Sequence, residues 1–245
     1  MTSNERLAQL TAERFEGLPR SCGNSVDPGV VTAADWRDWS RNETSVDQAR
    51  IEDYLDRFPL AGKRILHVGI GNSSLARKFG DRVGEIVGIS IDPPELARAQ
   101  SLGLANYPTV ERNKYAGLGL DIEGPFDFII DNNVTSACCC LTHLLGLLDG
   151  YRERLAPGGQ ILTDREGLGW IPQAAGLNPR WRFTLEDLAS VAELAGLSAE
   201  PIGANLVTLS CGGRSTPTAG ARSASLVRRG AKALSRRAKR LRPRR

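Results

Sequence analysis

The sequence is short of the residues that cross-link a fold. It holds two histidines, one methionine and five cysteines in 245 positions, and three of those cysteines are consecutive, Cys138, Cys139 and Cys140. An odd number with a run of neighbours is no disulfide framework, and no C-x-x-C pair occurs. Long hydrophobic runs are missing too. The most apolar stretch, Ala137 to Leu148, falls far short of the ~20 residues that a bilayer requires, and it contains His143. The opening MTSNERLAQLTAERF carries acids and no apolar block, which excludes a secretory signal and points to a reducing cytoplasm. The 26 glycines and 13 prolines follow no period, so the chain is not collagen-like. What is present, 41% hydrophobic and 24% charged residues, suits one soluble globular domain of ordinary size.

Acids are absent from the C-terminal stretch, where bases are dense. From Arg214 to Arg245 there are twelve basic residues and none of opposite sign, which leaves 20 bases against 28 acids before it. An acidic body of net charge −8 thus carries a tail of +12. In the tail Val227, Ala231, Leu234, Ala238 and Leu241 form one narrow helical stripe among the bases. That pattern suits a helix on an anionic membrane surface, salt-dependent binding to nucleic acid, or a solvated extension. No aromatic residue in it would stack on bases. The expected organisation is an N-terminal helical cap over residues 1–60, a main domain over 61–213 and the basic tail 214–245.

Strand-like and helix-like segments alternate through the body. RILHVGIG (Arg64 to Gly71) reads as a buried strand entering a glycine turn, and SSLARKFG follows at helical spacing. EIVGISI is a second strand, and Pro93 and Pro94 open the next helix. FDFIID (Phe126 to Asp131) is a third clear strand. A helix through the cysteine run to about Leu155, a turn at Pro157, Gly158 and Gly159, and the strand QILTD follow. Thr184, Glu186 and Asp187 signal the start of a last helix, and two short extended runs ending at Cys211 suit antiparallel edge strands. The fold class expected is α/β: a Rossmann-like doubly wound sheet, mostly parallel with an antiparallel C-terminal edge, and helices on both faces.

In such a sheet the ligand crevice lies beyond the carboxyl ends of the strands. Gly69-Ile70-Gly71-Asn72-Ser73, the run Ile89 to Asp92, and Asp131 to Asn133 would meet there. Glycine lets a ligand approach the backbone amides at a helix start. The dinucleotide fingerprint needs glycine where Ser74 stands, and no Tyr is followed four residues later by Lys, so neither feature of nicotinamide chemistry is present.

The succession ILHVGIGNS, VGISIDPPELARA, FDFIID, LAPGGQILTD and FTLEDLASVAELAGL, from about Asp35 to Cys211, resembles the class I S-adenosylmethionine-dependent methyltransferases. The resemblance implies S-adenosylmethionine as cofactor, with Gly69, Gly71 and Asn72 under its methionine part. His67 stands where the family usually has an acid, and Ser73 where it usually has a third glycine. Ser90 stands at the ribose-binding acid's place, beside Ile91, with Asp92 two residues on. Asn113 matches the adenine side, and Asp131 the end of the fourth strand, facing the cofactor's amino end and the acceptor. A neutral hydroxyl holds ribose less strongly than a carboxylate does. His67 must stay neutral to avoid repelling the methionyl amine.

For transfer, the expected acceptor is a small molecule or a glycan or lipid-linked precursor, methylated at oxygen. The readings held beside it are a non-catalytic methyltransferase-like scaffold and a nucleic-acid methyltransferase that uses the tail; the inner membrane surface is the other place the tail would take the chain. Candidate bases are Asp131, His143 and Asp164, the last of which would otherwise cap the chain after its strand. Asn132 and Asn133 would orient a polar acceptor, and a loop between Trp170 and Trp181 would cover it. Three adjacent cysteines on a helix point ~100° apart and cannot share a metal, so no metal site is expected; Cys139 and His143, four apart, share a face.

Overall fold

The computed structural model describes residues 5, 8, 15–21, 38–169 and 179–212. The Trp170 loop and the tail, with the acceptor-lid, membrane and nucleic-acid readings attached to them, lie outside these. The described residues belong to one compact unit that ends at Gly212.

Seven strands form one sheet: β1 (Arg64–Val68), β2 (Glu85–Ser90), β3 (Thr109–Glu111), β4 (Phe126–Ile130), β5 (Leu155–Asp164), β6 (Leu197–Ile202) and β7 (Leu206–Cys211). Their order is β3-β2-β1-β4-β5-β7-β6. The first five run parallel, and β7 pairs antiparallel with both β5 and β6. The doubly wound sheet with an antiparallel edge is therefore as the sequence leads one to expect.

Strands covered on both faces read as continuous apolar runs, because successive side chains enter opposite layers. In β1, Leu66 and Val68 enter one core with α4 (Leu141–Glu153) and α6 (Leu185–Leu194), while Ile65 enters the other. That second core is built with α1 (Val46–Leu55), α2 (Ser74–Phe79) and α3 (Pro93–Gln100). Helix α6 begins with a capping box, in which the Thr184 hydroxyl and the Asp187 amide and carboxylate bond reciprocally.

Two elements differ from the sequence expectation. The cysteine run is not helical: Cys140 is extended (φ −163°, ψ 162°) and α4 starts only at Leu141. The helix is held off because its first amides are already claimed. Leu141 N–H donates to the Pro19 carbonyl (3.0 Å), and Thr142 N–H and Oγ1 donate to the Arg20 carbonyl (3.1 and 2.8 Å). An N-terminal segment distant in sequence thus satisfies the open donors of this helix end. The other difference is at Pro157 to Gly159, which is an irregularity inside one ten-residue strand, exposed at Pro157 and Gly158 and buried at Gly159, rather than a turn before it.

Candidate functional site

A cleft of about 320 Å³ opens at the carboxyl ends of β1, β2, β3 and β4. Its floor is the β1–α2 turn. Gly69 has φ 74° and Gly71 φ 49°, left-handed values that glycine adopts without strain. A Cβ on Gly69 would project into open space, with nothing within 4 Å, so the bare backbone faces the cleft. Asn72 ties this turn to the N-terminal segment: its amide donates to the Asn42 carbonyl (2.8 Å) and Thr44 (3.2 Å). Trp39, Thr44, Ser45, Asp47 and Gln48 also line this cleft.

Of the residues that sequence reasoning assigned to the cofactor, His67, Gly69, Gly71, Asn72, Ser90, Ile91, Asn113 and Asp131 line this cleft. Ser73 and Asp92 do not. Ser73, at φ 59°, is buried and accepts from Tyr107 (3.3 Å), and Asp92 is buried at the N-cap of α3 with Oδ2 unpartnered among the described residues. A carboxylate does reach the cleft beside Ser90, from Glu95. Its Oε2 accepts from Ser90 Oγ (2.7 Å) and from Gly71 N–H (3.2 Å), and the residue is 2% exposed. The signal was present in the sequence: Glu95 is the third residue of α3, and a glutamate there commonly turns back toward the helix entry.

On the other side, Asp131 is fully engaged. Lys114 Nζ donates to both its oxygens (3.0 Å each), Tyr151 OH to Oδ2 (2.8 Å) and Asn133 N–H to Oδ1 (3.3 Å). Lys114 also donates to the Asn133 carbonyl (2.6 Å). Burial, reinforced by the Asp131 charge, raises the Tyr151 phenol far above its usual value, so Tyr151 remains a donor. Lys114 was not singled out from the sequence. It sits in a short 3₁₀ turn after β3, and no periodicity marks it.

His67 is buried under the cleft, and desolvation pulls its pKa down to about 4, which makes it neutral at pH 7. Its Nδ1, together with Arg112 Nε, Asn132 Oδ1 and Asn133 Oδ1, has no hydrogen-bond partner among the described residues, and all four residues line the cleft. Unsatisfied buried polar atoms around a bare glycine turn fit a polar organic ligand.

Asp164 is not on the cleft wall. It is buried, Arg50 clamps both its oxygens (2.8 Å each), and it accepts from Glu166 N–H (2.9 Å) as the N-cap of the short α5 (Arg165–Leu168). The capping reading is the one found. His143, in the first turn of α4, is also off the wall; its Nδ1 lies 3.1 Å from both Cys139 Sγ and Cys140 Sγ, and of these three only Cys139 lines the cleft. Cys138 turns away, donating to the Cys140 carbonyl (3.2 Å), and burial pushes its thiol up to about 12.

No protein-family model and no curated protein matches the chain. Solved structures do. The N-methyltransferase NodS from Bradyrhizobium japonicum WM9, in complex with S-adenosyl-L-homocysteine, superposes with TM-score 0.51 at 14% identity, over 72% of this chain and 94% of that one. CalS10, an amino pentose methyltransferase from Micromonospora echinaspora with S-adenosylmethionine bound, gives 0.51 at 16%, over 70% and 93%. The CcbJ methyltransferase from Streptomyces caelestis gives 0.53 at 15%, over 72% and 99%. This is the methyltransferase fold. In that fold the cleft described above is where the sheet's strand order reverses, between β1 and β4.

Proposed function

We propose that the chain is an S-adenosylmethionine-dependent methyltransferase acting on a small-molecule or sugar acceptor. The observation that carries this is the cleft: a bare glycine turn, the Ser90–Glu95 pair and the Lys114–Asp131 pair meet at the strand ends of a methyltransferase fold. The bound cofactor would supply a methyl group already activated on a sulfonium, so the protein's task is orientation. Gly69 and Gly71 allow close approach to the backbone. Glu95 and Ser90 suit a pair of ribose hydroxyls, and Ile91 and Asn113 line the adenine side. Lys114, held in place by Asp131, offers a cation to the carboxylate of the amino-acid part, which also carries an ammonium. His67 is neutral and does not repel that ammonium.

Three carboxylates, Glu43, Asp47 and Glu166, also line the cleft; Glu43 and Glu166 are exposed, and Glu166 is paired with Arg50. An acidic rim draws a cationic acceptor and accepts its proton, which favours an amine over the hydroxyl expected from the sequence. Asp131 serves here to hold Lys114, because its oxygens are taken by four donated bonds. NodS is named an N-methyltransferase and CalS10 an amino pentose methyltransferase, which accords with an amine acceptor.

Titration calorimetry with S-adenosylhomocysteine is expected to give one site per chain. At a ligand concentration about 100 times the dissociation constant, the native state should gain about 2.7 kcal/mol. No heat and no thermal shift at millimolar ligand would leave only a methyltransferase-like scaffold. With binding established, turnover on amino sugars against their hydroxyl counterparts separates the two acceptor atoms.

A further inference from the structure

Three adjacent cysteines on a helix cannot share a metal, but Cys138 to Cys140 are not helical. Cys139 and the extended Cys140 lie in the non-helical stretch before α4, and His143 in its first turn reaches back to them. The two thiol sulfurs and His143 Nδ1 all lie within 4.8 Å of one another. Each sulfur is 3.1 Å from the ring nitrogen. Around a tetrahedral zinc ion, with bonds of about 2.3 Å to sulfur and 2.0 Å to nitrogen, such atoms would stand about 3.5–3.8 Å apart, so small side-chain adjustments suffice.

Two further features favour a cation here. An imidazole nitrogen offers either one hydrogen or one lone pair, yet Nδ1 is shared between two sulfurs; a cation accepted by all three atoms resolves that competition. The backbone that presents them is also fixed on both sides. Tyr115 OH donates to the carbonyls of Val134 (2.7 Å) and Ser136 (2.8 Å), Thr135 Oγ1 donates to the Trp181 carbonyl (2.9 Å), and Pro19 and Arg20 cap the helix. A preformed cluster loses little chain entropy on taking an ion.

We infer that Cys139, Cys140 and His143 form a site for a thiophilic divalent cation of the zinc class, with one coordination position left open beside the cleft. Soft thiolates with an imidazole select zinc over magnesium or calcium. Three protein ligands with a fourth position free is the pattern of a site that binds a water or a substrate atom rather than a purely structural one. Cys139 is the ligand on the cleft wall, so the cation stands at its edge.

The test uses the full chain, reduced and freed of metal, titrated with Co²⁺ and then Zn²⁺. One Co²⁺ per chain is expected, with a thiolate charge-transfer band in the near ultraviolet that Zn²⁺ abolishes and Mg²⁺ does not. Cys139→Ser, Cys140→Ser and His143→Asn should each weaken binding about 100-fold or more, while Cys22→Ser and Cys211→Ser keep full affinity. A small thiol added to the Co²⁺ form should shift its visible bands, as an open position requires. In parallel, Zn²⁺ should shield Cys139 and Cys140 of the unsubstituted chain from alkylation, read by peptide mass; this arm is independent of whether any variant folds. Absence of the charge-transfer band, affinity unchanged in the cysteine variants, no shielding, or loss of affinity in Cys22→Ser would each overturn the inference. None of these readouts depends on the cofactor, so their failure is separable from failure of the methyltransferase reading.

Discussion

Glu95 links Ser90 at the end of β2 to the glycine floor of the cleft, because one oxygen takes hydrogen bonds from both Ser90 and Gly71. Bonds to a charged acceptor are among the stronger ones, so Glu95→Gln should weaken S-adenosylhomocysteine binding about tenfold or more, while Asp92→Asn, off the wall, should change it less than about twofold. Calorimetry on the two variants checks this, with melting curves to confirm that both fold. His67 gives a pH signature. Its folded pKa is held at about 4 against about 6.5 when the chain is unfolded. Between these values the unfolded chain takes up a proton that the native chain refuses, so stability falls with falling pH. From pH 7 to about pH 5 this one group should cost about 2 kcal/mol, and His67→Gln should remove that part of the slope in urea titrations. Single residues were also where the sequence was least legible. Gly69, Gly71 and Asp131 stand out because strand ends and glycines are local signals. Glu95 and Lys114 act through side chains that reach across to other segments, and spacing along the chain does not record that.

Whole elements were more legible. Apolar β-branched runs gave β1, β2 and β4, and capping residues gave α6. The strand β3, three half-buried residues at the sheet edge, has no such run and was legible only through the family resemblance. The cysteine stretch misled because it is apolar enough to continue a helix, and only contact with Pro19 and Arg20 shows that it does not. At this scale the join between α1 and the end of β5 is testable. Arg50 is the partner of Asp164, which is 0% exposed, and the two acids Asp164 and Glu166 hold the guanidinium pKa above its usual value. Removing the base strands a buried carboxylate. Arg50→Met should therefore destabilise the fold by about 2–3 kcal/mol in urea unfolding, whereas Glu166→Gln, at an exposed partner, should cost under about 1 kcal/mol.

Charge divides the molecule as a whole: 28 acids against 20 bases precede the tail, and the tail holds twelve bases alone. Among the described residues no helix is long and apolar enough to cross a membrane. Among the described residues, those lining the cleft lie between 39 and 166, so removing residues 214–245 should leave S-adenosylhomocysteine affinity unchanged within about twofold in calorimetry. Flotation with anionic vesicles, with and without that segment, tests the tail separately. The contact between Arg20 and Thr142 spans 122 residues. A ribosome adding roughly 5–20 residues per second needs about 10 s between releasing the first and exposing the second. Throughout that interval the Pro19 and Arg20 carbonyls lack the amides they meet in the fold. A bulky insertion beside Pro19 would be expected to disturb the thiol cluster before it disturbs the sheet.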